Sequence, residues 1–218
     1  FLATMSASFF IPLVVNADDC ISISYTECIG GCNGHTISND TKRIQVSGGR
    51  HTITLENVNI DTSKDVDPAD PDKEVYAAFD ISGEATVELT LVGKNSLISA
   101  DGYAGLRIPS GSHLTIKGEG SLTAKGGKNG AGIGSQGLDG ASGEVTIAVA
   151  KDSTITAEGG LAAAGIGGGN GGGCGKVTVE SGIVKATGGN GYEVTSSDTG
   201  EVVGKVAGGT GIGTGGGG

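Results

Sequence analysis

A glycine-rich phrase built on Ala-Gly-Ile-Gly recurs along this chain of 218 residues, and it constrains the fold more than any other feature. The five versions are "YAAFDISG" (76–83), "YAGLRIPSG" (103–111), "GAGIGSQG" (130–137), "AAGIGGGNG" (163–171) and "GTGIGTGGG" (209–217). The large apolar residue at the matching place is Phe79, Leu106, Ile133, Ile166 and Ile212. Self-similarity at intervals of this length is typical of proteins in which one structural unit stacks on the next.

Between the glycine-rich phrases, the sequence alternates apolar and polar residues. One set of alternating phrases is "TITLENV" (52–58), "TVELTLVG" (86–93), "HLTIKGEG" (113–120), "EVTIAVA" (144–150) and "KVTVESG" (176–182). A second set is "SLISADG" (96–102), "SLTAKGG" (121–127), "TITAEGG" (154–160) and "IVKATGG" (183–189). Alternation at a period of two, rich in Thr, Val and Ile, predicts short β-strands that end in turns.

Three strand phrases per repeat, separated by glycine-rich corners, predict an all-β fold in which each repeat is one coil of a single-stranded parallel β-solenoid. In such a stack, an inward side chain meets the same position one coil away. Ile133, Ile166 and Ile212 are therefore expected to continue a ladder that begins at Phe79 and Leu106. The glycines beside them suit corners with positive φ and close approach of neighbouring coils.

Composition agrees with this fold and excludes other classes. Glycine accounts for 44 residues without a three-residue period, and only 4 prolines are present, which excludes collagen. The recurring Val, Ile, Leu and Thr can bury apolar surface, which argues against disorder. Aromatic residues are 4% of the chain and Trp is absent, so the core is expected to be thin and aliphatic.

The beginning of the chain differs from the repeats. The stretch "FLATMSASFFIPLVVNADDC" is apolar up to Asp18 and has small residues before a cleavage point, so residues 1–17 are predicted to be a signal-peptide remnant. A buried first strand or helix is the alternative. We expect residues 18–42 to form a cysteine-containing cap and residues 43–218 to form the solenoid, truncated at its C-terminus. The protein is then secreted or on the cell surface, without membrane insertion after signal removal.

The four cysteines lie at positions 20, 28, 32 and 174. In an extracellular protein, a disulfide is expected among Cys20, Cys28 and Cys32, with Cys32 as one partner. Cys174 is then free or paired outside this sequence. A zinc site with His35 as the fourth ligand is the alternative.

Several phrases together resemble a known repeat domain. They are "LTLVGKNSL" (89–97), "LTIKGEGSLTA" (114–124) and the repeated "AGIG", within roughly residues 53–218. This pattern is similar to the glycine-rich repeat domain of bacterial secreted and surface proteins that are described as carbohydrate-binding domain-containing proteins. The resemblance implies a right-handed parallel β-helix, frequently as one module of a larger protein with further domains. Some relatives resemble polysaccharide lyases in fold and bind acidic or cellulosic polysaccharide with Ca²⁺.

The formal net charge of −10 limits the partners. It argues against nucleic acid, whose phosphates attract a basic face, and against an anionic membrane surface. The sequence predicts a non-catalytic module that binds polysaccharide or a cell-surface glycan. A structural or adhesin module without a sugar ligand is the first alternative, and a Ca²⁺-dependent, lyase-like enzyme is the second. Ice binding through the aligned Thr115, Thr146 and Thr178 is disfavoured by the nearby charges of Lys117 and Glu144.

An acidic segment, "NIDTSKDVDPADPDKEVY" (59–76), interrupts the strand phrases. Carboxylates at alternate positions of one turn can converge on a hard cation such as Ca²⁺. The candidate metal ligands are Asp61, Asp65, Asp67, Asp70 and Asp72. The segment does not match an EF-hand loop, and a stiff solvent-exposed loop is the alternative. No catalytic residue is predicted, because no nucleophile–base arrangement is evident from the spacing.

Aromatic rings that stack on sugar faces are scarce in this chain. Tyr76 and Tyr103 are 27 residues apart, the same interval as Phe79 to Leu106, so they are expected to lie one above the other on adjacent coils. We predict a ligand-binding face at this corner, formed by Tyr76, Tyr103 and the outward-facing Arg107. An aromatic ladder that only stabilises the coils is the alternative for the tyrosines, and a solvated strand residue is the alternative for Arg107.

Overall fold

The computed structural model describes residues 22–23, 25–29, 33–37, 43–64, 77–137 and 139–217. These residues form β-strands and no helix, which confirms the all-β prediction, and none of them belongs to a helix capable of crossing a membrane. The strands are β1 (Ser22–Ile23), β2 (Tyr25–Ile29), β3 (Asn33–Ile37), β4 (Ile44–Ser47), β5 (Arg50–Glu56), β6 (Asn59–Asp61), β7 (Phe79–Ser82), β8 (Thr86–Val92), β9 (Lys94–Ile98), β10 (Leu106–Arg107), β11 (His113–Gly118), β12 (Ser121–Lys125), β13 (Ile133–Gly134), β14 (Glu144–Val149), β15 (Thr154–Glu158), β16 (Ile166–Gly167), β17 (Val177–Ser181), β18 (Ile183–Thr187), β19 (Tyr192–Thr195), β20 (Val202–Val206) and β21 (Ile212–Gly213).

Three sheets contain nearly all of these strands. Sheet A has the order β1-β2-β4-β7-β10-β13-β16-β21, sheet B the order β17-β14-β11-β8-β5-β3, and sheet C the order β18-β15-β12-β9-β6. Neighbouring strands are parallel in all three sheets, except for the antiparallel pair β1–β2 at the edge of sheet A. Five successive triplets, β4–β6, β7–β9, β10–β12, β13–β15 and β16–β18, each place one strand in each sheet. We call these triplets repeats 1 to 5.

The register of sheet A follows the glycine-rich phrase. Phe79 pairs with Leu106, Leu106 with Ile133, Ile133 with Ile166, and Ile166 with Ile212, which confirms the predicted ladder. The first four side chains are fully buried, whereas Ile212 is 47% exposed. Ile212 is paired with Ile166 as predicted, but its side chain is not inside the core as expected, because among the described residues β21 is the last strand of sheet A and has a neighbour on one side only.

The inward faces of the three sheets share one aliphatic core. Ile133 of sheet A, Ile147 of sheet B and Ile155 of sheet C are fully buried members of the same hydrophobic cluster. In repeat 5, Ile166 is still fully buried and is followed by β21, whereas Val177 and Val184, on the last strands of sheets B and C, are only partly buried against the cluster. The inward side chains of one repeat are therefore buried in part by the strands that follow that repeat in each sheet.

Glycine recurs after the ladder residue because the strands of sheet A approach closely there. Gly134 and Gly167 have φ values of +146° and +128°, a region that residues with a Cβ atom rarely adopt. A methyl group on Gly134 would overlap the carbonyl oxygen of Gly167, and one on Gly167 would overlap that of Gly213. The sequence Ile-Gly thus provides one core side chain and one close backbone contact per repeat.

Both ends of the repeat array carry additional strands. In the segment predicted to form a cap, β2 and β3 extend sheets A and B by pairing in parallel with β4 and β5. Cys28 belongs to β2, but Cys20 and Cys32 lie outside the described residues, so the disulfide stays a prediction. Residues 1–17 also lie outside them. Cys174 forms no disulfide within the described part of the chain, and burial raises the pKa of its thiol.

At the other end, an antiparallel hairpin of β19 and β20 lies between β18 and β21. This insertion explains the interval of 46 residues between Ile166 and Ile212, which is longer than the other intervals in the ladder.

The ladder predicts that truncation of isoleucine to alanine lowers the free energy of unfolding by different amounts at different positions. Ile133→Ala should lower the free energy of unfolding by about 2–4 kcal/mol, because it leaves a cavity between two covered repeats. Ile212→Ala is the matched control and should cost less than about 1 kcal/mol, because that side chain is already half in water. Urea unfolding of both variants measures the difference, and equal losses would contradict the proposed packing.

Candidate functional site

Arg107 lies on the outer face of sheet A, next to the buried Leu106 of β10. Its Nε donates a hydrogen bond of 2.8 Å to Asp139 Oδ2, and its Nη1 donates one of 2.8 Å to Asp80 Oδ1. Asp80 is its register partner on β7, and Asp139 belongs to the turn that follows β13. The Arg107 side chain is only 18% exposed, so the guanidinium is largely enclosed by these carboxylates.

The surroundings of Arg107 favour a fixed ion-pair network. Burial acts to lower the pKa of Arg107, but the hydrogen bonds to Asp139 and Asp80 outweigh it, and the pKa lies above its ordinary value. Gln136 Nε2 donates to Asp139 Oδ1 at 3.2 Å, while the buried Gln136 Oε1 accepts no hydrogen bond from the residues that the structure describes. We call Asp80, Arg107, Gln136 and Asp139 the arginine cluster. It ties the turn after β13 to two strands of sheet A.

A second group of polar side chains joins the connection from sheet C to sheet A, which carries Lys128 and Asn129, to the turn that leads from β16 of sheet A towards sheet B, which carries Asn170. Asn170 Nδ2 donates to Asn129 Oδ1 at 3.2 Å and makes a longer contact of 3.5 Å with the hydroxyl of Tyr192. Lys128 Nζ lies 5.4 Å from the centroid of the Tyr192 ring, within the range of a cation–π interaction. We call Lys128, Asn129, Asn170 and Tyr192 the tyrosine cluster.

The backbone of three different connections holds the tyrosine cluster together. Asn129 follows repeat 3 and has a φ of +68°, which Asn tolerates better than most residues. The N–H of Asn170, from the turn after β16, donates to the carbonyl of Asn129 at 3.0 Å. Tyr192 begins β19 after repeat 5. Side chains that are far apart in sequence therefore meet at one corner.

The two clusters are neighbours on the surface. The N–H of Gly169 donates to Ser135 Oγ at 2.9 Å, and Ser135 directly precedes Gln136 of the arginine cluster. Gly169 likewise precedes Asn170 of the tyrosine cluster. We call the combined surface of the two clusters the polar corner. It presents an aromatic ring, three side-chain amides and both signs of charge.

The predicted ligand-binding residues are distributed as follows. Tyr103 is partly buried in the connection between repeats 2 and 3, and the carbonyl oxygen of the preceding Gly102 accepts a 3.4 Å hydrogen bond from Gly137. Tyr103 therefore lies beside the turn that carries Gln136. Arg107 is in the arginine cluster. Tyr76 lies outside the described residues, so the stacking of Tyr76 on Tyr103 stays a prediction.

The predicted metal ligands are only partly described. Asp61 ends β6, and its Oδ1 accepts a hydrogen bond of 2.9 Å from the N–H of Ser63. Hydrogen bonds from the Ser63 hydroxyl and N–H lower the pKa of Asp61, and the charge of Lys64 lowers it further. This carboxylate therefore stabilises a turn. Asp65, Asp67, Asp70 and Asp72 lie outside the described residues. In the part of the chain that the structure describes, no three His, Cys, Asp or Glu side chains are grouped to hold a metal.

Sequence reasoning missed most of the polar corner. Tyr192 is one of only 4 tyrosines in the chain, and the sequence around Asn129 and Asn170 indicates only a turn. The available signal was that each directly precedes a glycine in a connection between strands, in "KNG" and "GNG". Their mutual contact spans 41 positions and does not follow from the strand register.

A different concave region lies where sheet A leads into sheet B. It has a volume of about 270 Å³, and its lining includes His113, Glu144 and Lys176 from successive repeats. His113 Nε2 lies 3.6 Å from Glu144 Oε2, and both side chains are more than half exposed. Solvent-exposed ion pairs of this kind contribute little to the stability of the fold.

Comparisons of the chain with protein-family models, with curated proteins and with solved structures gave no match. The resemblance to the glycine-rich repeat domain thus stays an expectation from the sequence.

The arginine cluster predicts a specific loss of stability. Arg107→Met should lower the free energy of unfolding by about 1–3 kcal/mol, because two largely enclosed carboxylates lose their partner. Lys117→Met is the matched control. It removes a single ion pair to Glu88 whose side chains are 43% and 45% exposed, and should cost below about 1 kcal/mol. Thermal and urea unfolding compare the two, and a larger loss for Lys117→Met would contradict this role of Arg107.

Proposed function

We propose that this protein is a non-catalytic module that binds polysaccharide or a cell-surface glycan at the polar corner. The observation that carries the proposal is the tyrosine cluster, in which Tyr192 lies beside the amides of Asn129 and Asn170. A flat ring offers an apolar surface to a sugar face, and amides both donate to and accept from sugar hydroxyls. The proposal includes a secreted or cell-surface location, where such ligands occur.

We also propose that the five repeats close into a single-stranded, right-handed parallel β-helix. Two observations support closure: each repeat places one strand in each sheet, and inward residues of all three sheets belong to one cluster. The right hand is the one that connections between parallel strands of a sheet almost always adopt. In this arrangement, the corner between sheets C and A runs along the whole stack.

The repeat spacing favours an extended ligand. Parallel strands lie about 4.8 Å apart, so equivalent corners of successive repeats form a row at that spacing. An extended polysaccharide can lie along this row and meet Tyr103 and Lys128 in two successive connections, and Tyr192 two connections beyond Lys128. Several weak contacts in a row are the expected mode of binding, with an affinity in the range of about micromolar to millimolar.

The charges favour a neutral sugar over a polyuronate. Arg107 is already paired with Asp80 and Asp139, so it offers little attraction to a ligand carboxylate. Lys128 is the other cation of the polar corner, and it lies near the Tyr192 ring. The ligand is therefore recognised mainly through hydroxyl groups and an apolar sugar face.

Pull-down on a panel of insoluble polysaccharides, together with a glycan array, tests the binding face. Tyr192→Ala should weaken retention about fivefold on the glycan that the parent binds, because loss of ring stacking costs about 1 kcal/mol. Tyr192→Phe keeps the ring and should lose less. Thr115→Ala, on the outer face of sheet B, is the control and should bind like the parent.

Full retention by Tyr192→Ala would exclude this corner as the binding face. A Tyr76→Ala, Tyr103→Ala double variant then tests the tyrosine pair predicted from the sequence. Absence of binding to every glycan, with the fold intact, would overturn the glycan-binding proposal and favour a structural or adhesin role.

A further inference from the structure

Three described connections contain an asparagine followed by glycine: Asn129–Gly130, Asn170–Gly171 and Asn190–Gly191. In such a pair, the glycine nitrogen can attack the side-chain carbonyl carbon of asparagine, because no Cβ atom on the glycine hinders the approach. The reaction requires a main-chain N–H that is not engaged and a side chain that is free to turn towards it. The three sites differ in both requirements.

Asn129 and Asn170 are held away from this reaction. The N–H of Gly130 donates to the carbonyl of Gly127 at 2.9 Å, and the N–H of Gly171 donates to that of Gly216 at 2.7 Å. The two asparagine side chains are hydrogen-bonded to each other at 3.2 Å. Attack at either site would first require these bonds to open, which lowers its rate.

Asn190 meets both requirements. Asn190 and Gly191 are exposed, and within the described residues neither the N–H of Gly191 nor the Asn190 side chain makes a hydrogen bond. The carbonyl oxygen of Asn190 does accept a bond of 2.9 Å from the N–H of Ala162, which holds the main chain in place. The reacting groups are therefore free at a position only two residues before Tyr192.

We propose that Asn190 is a site of spontaneous deamidation, and that the fold protects Asn129 and Asn170. The deprotonated Gly191 nitrogen forms a bond to Cγ of Asn190. The bond from Cγ to Nδ2 breaks, and the amide nitrogen leaves as ammonia after taking up a proton. Water then opens the resulting succinimide at either carbonyl, which yields aspartate or isoaspartate.

Both products add a negative charge at the beginning of the hairpin, and isoaspartate also inserts a methylene group into the main chain. Because Tyr192 follows two residues later, its ring should shift relative to Lys128 and Asn170. Deamidation would then reduce glycan binding with the age of the protein. This consequence rests on the proposed function, whereas the modification itself does not.

Timed incubation of the folded full chain at mildly alkaline pH, followed by tryptic peptide mass spectrometry, tests the inference. Cleavage after lysine gives three separate peptides, 129–151, 152–176 and 186–205, each with one of the three asparagines. We expect the Asn-to-Asp mass gain in peptide 186–205 to appear about tenfold faster than in the other two peptides. At Asn129 and Asn170, hydrogen bonds must open before the reaction can start, whereas at Asn190 no such bond has to open.

Two controls keep the result interpretable. In urea, the three peptides should deamidate at similar rates, because all three asparagines precede glycine. Asn190→Gln should abolish the modification of peptide 186–205 in the folded chain. Equal or slower reaction at Asn190 than at Asn129 or Asn170 in the folded chain would overturn the inference, whether or not the protein binds a glycan.

Discussion

Residue-by-residue pairing between parallel strands of successive repeats is the constraint on which the rest of this structure depends. Once Leu114 pairs with Val145, the neighbouring Thr115 must pair with Thr146, and inward and outward faces stay aligned through the sheet. The inward aliphatic side chains of successive repeats therefore pack into one core, which contains few aromatic residues. The same pairing makes glycine necessary wherever two backbones of sheet A approach closely, as at Gly134.

This constraint divides the molecule into regular strands and variable connections. On the strands, outward side chains meet equivalents one repeat away, as Arg107 meets Asp80. In the connections, length and composition differ between repeats, so side chains from distant positions converge, as Asn129 and Asn170 do. Function is expected in the connections, because they vary over a scaffold that is fixed by pairing.

The strands were predictable from the sequence and the polar corner was not, for physical reasons. The ladder from Phe79 to Ile166 follows from periodicity, because pairing repeats the same contact. The exposure of Ile212 depends on whether another strand covers β21, and the periodicity of the sequence gives no information about that. The contacts of Asp139 and Asn170 arise in turns, where no register relates one residue to another. Calcium ligands and the Tyr76–Tyr103 stack stay predictions.

A disulfide placed across two repeats tests the in-register pairing most directly. In a Cys174→Ser background, Thr115→Cys with Thr146→Cys places two thiols on paired positions of β11 and β14, about 4.8 Å apart along the sheet. Thr115→Cys with Ala148→Cys is the off-register control. After mild oxidation, peptide mapping should show a cross-link in the first variant and little in the second. Equal cross-linking, or cross-linking only in the off-register variant, would contradict the stacked fold.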